Sequence, residues 1–187
     1  MRIISGKYKG KKLIQPIDKE TRPLKDLTKE SIFNIIKHSN LLRANIENSN
    51  VLDIFSGVGS FGLECISRGA SHVSFCENYE RAISILERNI SILKCKEKTT
   101  IINSNVFNKN IFSKISQKFE IIFLDPPFKE KNLFVIIENI IELNLLKKNG
   151  IFIIHRHKNK VESYPKNFKI LLKKKYGVSQ IIFGNNN

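Results

Sequence analysis

The chain has 187 residues, 41% of them hydrophobic, which suits one globular domain with a real core and excludes a disordered chain. No apolar run reaches the roughly 18–20 residues needed to cross a bilayer. The start, Met1-Arg2-Ile3-Ile4-Ser5-Gly6-Lys7, turns basic at once and lacks a signal-peptide core, so a cytoplasmic protein without a membrane partner is expected. The net charge of +15 favours a polyanionic partner, although Lys, Ile and Asn are abundant together, as an A+T-rich coding bias produces. Cys65, Cys76 and Cys95 are an odd set with no close pairing, which fits buried thiols and not a disulfide frame or a zinc site.

Residues 1–45 read as an extension to the main domain at 46–187. Residues 2–5 and 11–15 flank Gly6 and Gly10 as a basic hairpin would, and 28–38 follows as a helix with Thr28 as N-cap. Bases gather here (Lys7, Lys9, Lys11, Lys12, Arg22) and again late in the chain (Lys166, Lys169 and Lys173 to Lys175). From residue 51 onward strands and helices alternate. Strands are expected at 51–55, 71–76, 99–102, 120–124 and 151–155. Between them fall helices at 60–68, 79–93, 106–116 and 132–146. The helix at 79–93 is the clearest, with Ala82, Ile83, Leu86, Ile90 and Leu93 recurring on one face. Gly69 stops the 60–68 helix, and Lys147-Lys148-Asn149-Gly150 closes the 132–146 helix. Strands separated by helices imply βαβ units and a mostly parallel sheet. Residues 168–172 and 180–183, around Tyr176-Gly177, read as an antiparallel hairpin on its edge, before a frayed tail at Asn185-Asn186-Asn187.

The chemistry gathers at three strand ends. After the first strand comes Phe55-Ser56-Gly57-Val58-Gly59-Ser60-Phe61-Gly62, a G-x-G-x-x-G turn. Glu77 ends the second strand, twenty residues after Gly57, where an acid can accept both ribose hydroxyls. No Gly-Lys-Ser/Thr follows, so this is not a Walker-type phosphate loop. Asp53, two residues before the turn, would repel a pyrophosphate, and so favours S-adenosylmethionine, with its cationic aminoacyl and sulfonium groups, over a dinucleotide. The fourth strand ends in Asp125-Pro126-Pro127-Phe128. Two prolines stiffen the loop, and an acid, outward carbonyls and one aromatic ring remain at the sheet edge. That set can accept hydrogen bonds from an amino group and stack on a planar base. His155 and His157 alternate on one strand face, but no third metal ligand suggests itself, and no metal is expected.

The run Asp53-Ile54-Phe55-Ser56-Gly57-Val58-Gly59 resembles motif I of the class I methyltransferases, and Asp125-Pro126-Pro127-Phe128 resembles their motif IV in enzymes acting on exocyclic amino nitrogens. Arg2-Ile3-Ile4-Ser5-Gly6-Lys7 with Gly10 and Leu13, then Thr21-Arg22-Pro23 with Asp26, Glu30 and Phe33-Asn34-Ile35, resembles the amino-terminal segment of the RsmD-type enzymes. The resemblance covers nearly the whole chain. It departs at Leu24, at Leu27 and at His155-Arg156-His157, which replaces a more acidic stretch. It implies a Rossmann-like class I methyltransferase fold, an α/β architecture whose mostly parallel seven-stranded sheet ends in an antiparallel hairpin. It also implies methyl transfer from S-adenosylmethionine, leaving S-adenosylhomocysteine, to N2 of the guanine at position 966 of bacterial 16S ribosomal RNA. A monomer acting on the small subunit or an assembly intermediate is implied. Asp53, Phe55, Gly57 and Gly59 would then shape the pocket for the methionine part. Glu77 would hold the ribose, Asn78 would lie beside the adenine, and Asn105 would meet the adenine edge. Asp125, Pro126, Pro127 and Phe128 would engage the target base, and Lys7, Lys9, Lys11 and Arg22 the RNA. Three other readings are an adenine-N6 or other amino-group nucleic-acid methyltransferase, a dinucleotide-dependent oxidoreductase, and an RNA-binding assembly factor without catalysis.

Overall fold

The structure, a computed structural model, describes residues 1–16 and 24–186; the Thr21-Arg22-Pro23 segment lies outside the described residues. Seven strands form one sheet: β1 (Asn50–Ile54), β2 (His72–Glu77), β3 (Thr99–Asn103), β4 (Phe119–Leu124), β5 (Leu146–His157), β6 (Phe168–Tyr176) and β7 (Ser179–Asn186). Their order is β3-β2-β1-β4-β5-β7-β6. The first five are parallel, and β7 runs antiparallel to both β5 and β6. Helices α1 (Asp26–His38), α2 (Ser60–Ser67), α3 (Glu80–Leu93), α4 (Lys109–Ser113) and α5 (Leu133–Glu142) complete the fold.

Strand alternation divides the core in two. Val51, Phe61, Phe75, Leu86 and Phe123 pack on the side of α1, α2 and α3. Leu52, Ile54, Phe112, Ile122, Ile136 and Ile154 pack on the side of α4 and α5. The order reverses between β1 and β4, and an open α/β sheet binds ligands at the carboxyl ends of the strands flanking such a reversal.

Several expected elements change form, each for a local reason. The 2–15 hairpin forms without regular strands: one antiparallel bridge joins Arg2 to Lys12, and the Ile3, Gly10 and Leu13 N–H groups donate across it to the Lys11, Ile3 and Met1 carbonyls. The Ile4 and Ser5 N–H groups donate to the Glu64 carboxylate at 2.8 and 2.9 Å instead of to a partner strand. Helix α1 begins two residues early, so Thr28 lies buried inside it and Lys25 occupies the N-cap. Helix α4 is only five residues long. Asn105 Oδ1 accepts from the Phe107 N–H and Asn108 Oδ1 from the Asn110 N–H, local turns that compete with helix. Helix α5 stops at Glu142 because Asn144 turns left-handed at φ 52°. Lys147 to Gly150 therefore belong to β5, which is irregular there opposite β4. Asn185 and Asn186 are not a frayed tail; they pair with Lys169 and Phe168.

Candidate active site

A cavity of about 1010 Å³ opens at the carboxyl ends of β1, β2 and β4, lined among others by Asp53, Phe55, Gly57, Glu77, Asn105, Asp125, Phe128 and His155. Leu24, Lys25 and Thr28 at the start of α1 supply a further wall.

The glycine turn is built by backbone demands. Phe55 adopts φ 60°, unusual for a bulky side chain, and Gly57 and Gly59 follow at 53° and 83°. A Cβ on Gly59 would come within 2.4 Å of Leu86 Cδ1, and one on Gly62 within 2.4 Å of Phe75. Gly62 thus lets α2 approach β2, while Gly59 lies behind the cavity wall and acts through the turn. The N-cap Gly59 has no side chain to cap α2. Asp53 Oδ2 does so from the strand below, accepting from the Gly62 N–H at 2.9 Å. Its other oxygen, Oδ1, is buried without a partner. Burial pushes the Asp53 carboxyl well above the usual carboxylate range; the Gly62 N–H opposes this, and the nearby Asp125 and Glu77 charges add to it. An unpaired buried acceptor in a cavity wall is suited to a cationic or N–H-bearing ligand group.

Glu77 is tied more tightly than its sequence position reveals. Oε2 accepts from the Gly57 N–H at 2.7 Å, and Oε1 from Asn78 and Tyr79 at 2.9 and 3.0 Å. Three of about four acceptor positions on the carboxylate are therefore filled. One ribose hydroxyl can be accepted without loss; a second would displace a backbone donor. The Asn78 and Asn105 side chains are exposed at the rim, with Asn105 Oδ1 already held in its turn.

The Asp125 loop is held from two sides by β5. On one side His155 Nδ1 lies 2.7 Å from Asp125 Oδ1, and His155 Nε2 lies 2.8 Å from Ser179 Oγ on β7. On the other side Arg156, fully buried, donates to the Pro127 carbonyl at 3.0 Å and the Glu130 carbonyl at 2.6 Å, and pairs with Glu162 at 2.5 Å. Phe128 is set edge-on to both His155 and His157, with centroids 5.6 and 5.4 Å apart. Among the described residues nothing donates to Asp125 Oδ2 or to the Pro126 carbonyl, so both acceptors remain open. The sequence marked His155 as sharing a strand face with His157, and His155 and Arg156 as departures from a family pattern; their contacts span 26–30 residues.

A second buried cluster docks the amino terminus. Glu64 accepts from Ile4, Ser5 and Arg68 and lies 3.8 Å from Lys29 Nζ, with both Glu64 and Lys29 fully buried. Burial lowers the Lys29 pKa, and Glu64 and Asp26 partly restore it. The only sequence signal was an acid in an otherwise apolar helix. Lys7, Lys9 and Lys11 are exposed, and the Lys7 N–H donates to the Ser67 carbonyl at the far end of α2, about 12 Å along the helix from the cavity.

The sheet order and the glycine turn beneath an open acidic cavity define a class I methyltransferase. Structural likeness agrees: a ribosomal protein L11 methylase from Lactobacillus delbrueckii shares the fold at TM-score 0.64 and 15% identity, covering 92% of this chain and 90% of that one. The Haemophilus influenzae protein HI0767 superposes at TM-score 0.77 with 32% identity, covering 99% and 97% of the two chains. The family described as conserved hypothetical protein 95 matches residues 1–185. Ribosomal RNA small subunit methyltransferase D of Haemophilus influenzae is 33% identical over 179 residues, 95% of this chain and 90% of that protein. Its namesake in Escherichia coli K12 is 33% identical over 181 residues, 91% and 82% respectively. The chain belongs to this family, that of the RsmD-type methyltransferases.

Proposed function

We propose that this chain methylates the exocyclic N2 of a guanine in bacterial 16S ribosomal RNA, presented by the small subunit or an assembly intermediate, with S-adenosylmethionine as donor and in the cytoplasm. The observation that carries the reading is the pair of open acceptors, Asp125 Oδ2 and the Pro126 carbonyl, in the cavity that also holds the unpaired Asp53 Oδ1. Bound there, S-adenosylmethionine would supply a methyl carbon on a sulfonium, and the C–S bonding pair returns to sulfur on transfer. Asp53 Oδ1 would accept from the ammonium of its aminoacyl part, the Gly57 turn would admit that part, and Glu77 would accept a ribose hydroxyl. Asn78 and Asn105 would border the adenine.

Guanine N2 is a weak nucleophile because its lone pair is delocalised into the ring. Asp125 Oδ2 and the Pro126 carbonyl would accept its two N–H groups, which localises the pair and aims it at the methyl carbon. Alignment of this kind can supply roughly 7–11 kcal/mol of a barrier. Asp125 then takes the proton that the nitrogen sheds. Two acceptors would serve any exocyclic amino group; Asp125 and Phe128, in place of the Asn and Tyr more frequent in adenine-directed enzymes, lean the reading towards guanine. Phe128 would stack on the extruded base, a contact worth about 1–3 kcal/mol, against an extrusion cost of about a few kcal/mol. Lys7, Lys9 and Lys11 would contact RNA phosphates away from the target base, and Arg22 would also contact the RNA.

The test is transfer of labelled methyl groups to small ribosomal subunits lacking the modification, followed by identification of the labelled nucleoside. N2-methylguanosine at one site is the expected product. Label in adenosine would keep the methyltransferase and discard the guanine assignment.

A further inference from the structure

His155 departs from the acidic stretch its family resemblance leads one to expect, yet it is buried and both ring nitrogens are engaged. It joins the ends of three strands: Asp125 after β4, His155 itself on β5 and Ser179 at the start of β7. The protonation pattern follows from the partners. An ionised carboxylate has no proton to give, so the nitrogen facing Asp125 must carry the hydrogen. That is Nδ1. In the neutral ring Nε2 is then an acceptor, and Ser179, whose hydroxyl can turn to suit either tautomer, supplies the O–H.

We propose that His155 is a positioning residue for Asp125: as the Nδ1–H tautomer, backed by the Ser179 hydroxyl, it occupies Asp125 Oδ1 and leaves Oδ2 facing the target amine. This rests on the reading of Asp125 as the acceptor of the amino group. The rotation of Asp125 about its side chain is fixed by one directional bond, since its side chain is 19% exposed and makes no other hydrogen bond among the described residues. Phe128 lies edge-on to the same imidazole and to His157.

Two measurements test this. The first is nitrogen-15 NMR of histidine-labelled wild-type protein. The expected spectrum shows a proton on His155 Nδ1, and that resonance moves in Asp125→Asn. A ring protonated on Nε2 alone overturns the proposal, whatever the substrate proves to be. The second compares wild type, His155→Ala and His155→Asn on unmodified small subunits. His155→Ala is expected to lower kcat on the order of 10–100-fold, with KM for the subunit and the Kd for S-adenosylhomocysteine within about twofold. His155→Asn, whose carboxamide N–H can replace Nδ1–H, is expected to recover kcat to within several-fold of wild type. Unchanged kcat in His155→Ala, or a loss confined to KM, overturns the proposal. Full activity in Asp125→Ala would instead sink the reading of Asp125 itself, and the NMR result separates the two failures. The wild-type spectrum needs no variant to fold.

Discussion

The two halves of the cavity are made differently. The β1–β2 half is a local construction: Gly57 donates to a carboxylate twenty residues away, and Glu77 folds back on Asn78 and Tyr79 beside it. The β4–β5–β7 half is a convergent construction, in which Asp125 and the loop after it are held by His155, Arg156 and Ser179 from later strands. The first half leaves one acceptor buried and unpaired; the second leaves two without a donor among the described residues. A turn between neighbouring strands is closed by bonds from the strand beside it; a loop at a strand end is braced from strands that arrive later.

The largest effect expected is in the convergent half. Asp125→Ala should lower methyl transfer on the order of 10²–10⁴-fold while leaving S-adenosylhomocysteine affinity within about twofold, read by labelled transfer and calorimetry. Comparable loss of both activity and affinity would show that the halves are not separable. Arg156→Ala follows. It leaves Glu162 buried without its partner, with a stability loss of about 3–5 kcal/mol, and frees the Pro127 and Glu130 carbonyls. Denaturant unfolding reads that loss. Replacing both Arg156 and Glu162 with apolar residues should recover most of the stability but not the activity, because the loop stays unbraced.

In the local half, Asp53→Asn separates binding from folding. The Asp53 pKa is raised in the folded state by burial, so between its ordinary value of 3.8 and that raised value the folded protein holds a proton the unfolded chain has lost. Stability from this group is full below that window and falls as pH rises through it. Asparagine still accepts from Gly62 and has no charge to bury. The melting temperature of wild type should therefore decline from pH 5 to pH 8 more than that of Asp53→Asn, whose S-adenosylhomocysteine affinity should be about tenfold weaker. Parallel melting curves would remove the buried charge from the account.

How much of this was legible in the sequence follows the same division. The glycine turn, Asp53, Glu77 and the Asp125 loop each announce themselves within a few residues of a strand end, and the alternation of strands and helices places them on one edge. The clamp could not be read that way. His155 and Arg156 are neighbours on a strand and so point to opposite faces, which is why one reaches the carboxylate and the other reaches the carbonyls behind it. Nothing in the spacing says which partner meets either. Helix α4 was over-extended because apolar residues at Val106, Ile111 and Phe112 continue a helical pattern through two asparagines that bond their own backbone. The buried Glu64–Lys29 pair was hidden because each acid or base, taken alone, looks like an exposed helix residue.

The smallest effect sharpens the comparison from outside the cavity. Lys7 stands at the far end of α2, and Lys9 and Lys11 follow on the same loop, which backbone bonds to Ser67 and Glu64 fix. Their substitution by alanine should therefore leave the fold and the cofactor site intact. If they contact phosphates, each contributes about 0.7–0.9 to the salt slope of RNA affinity, so the triple variant should flatten that slope by roughly 2 to 3. At saturating subunit kcat should be unchanged, since the clamp on Asp125 is untouched. A salt slope identical to wild type would place the RNA on another face, and the basic edge strand β6, with Lys173, Lys174 and Lys175 leading toward the Val178–Ser179 rim of the cavity, is then the next surface to alter.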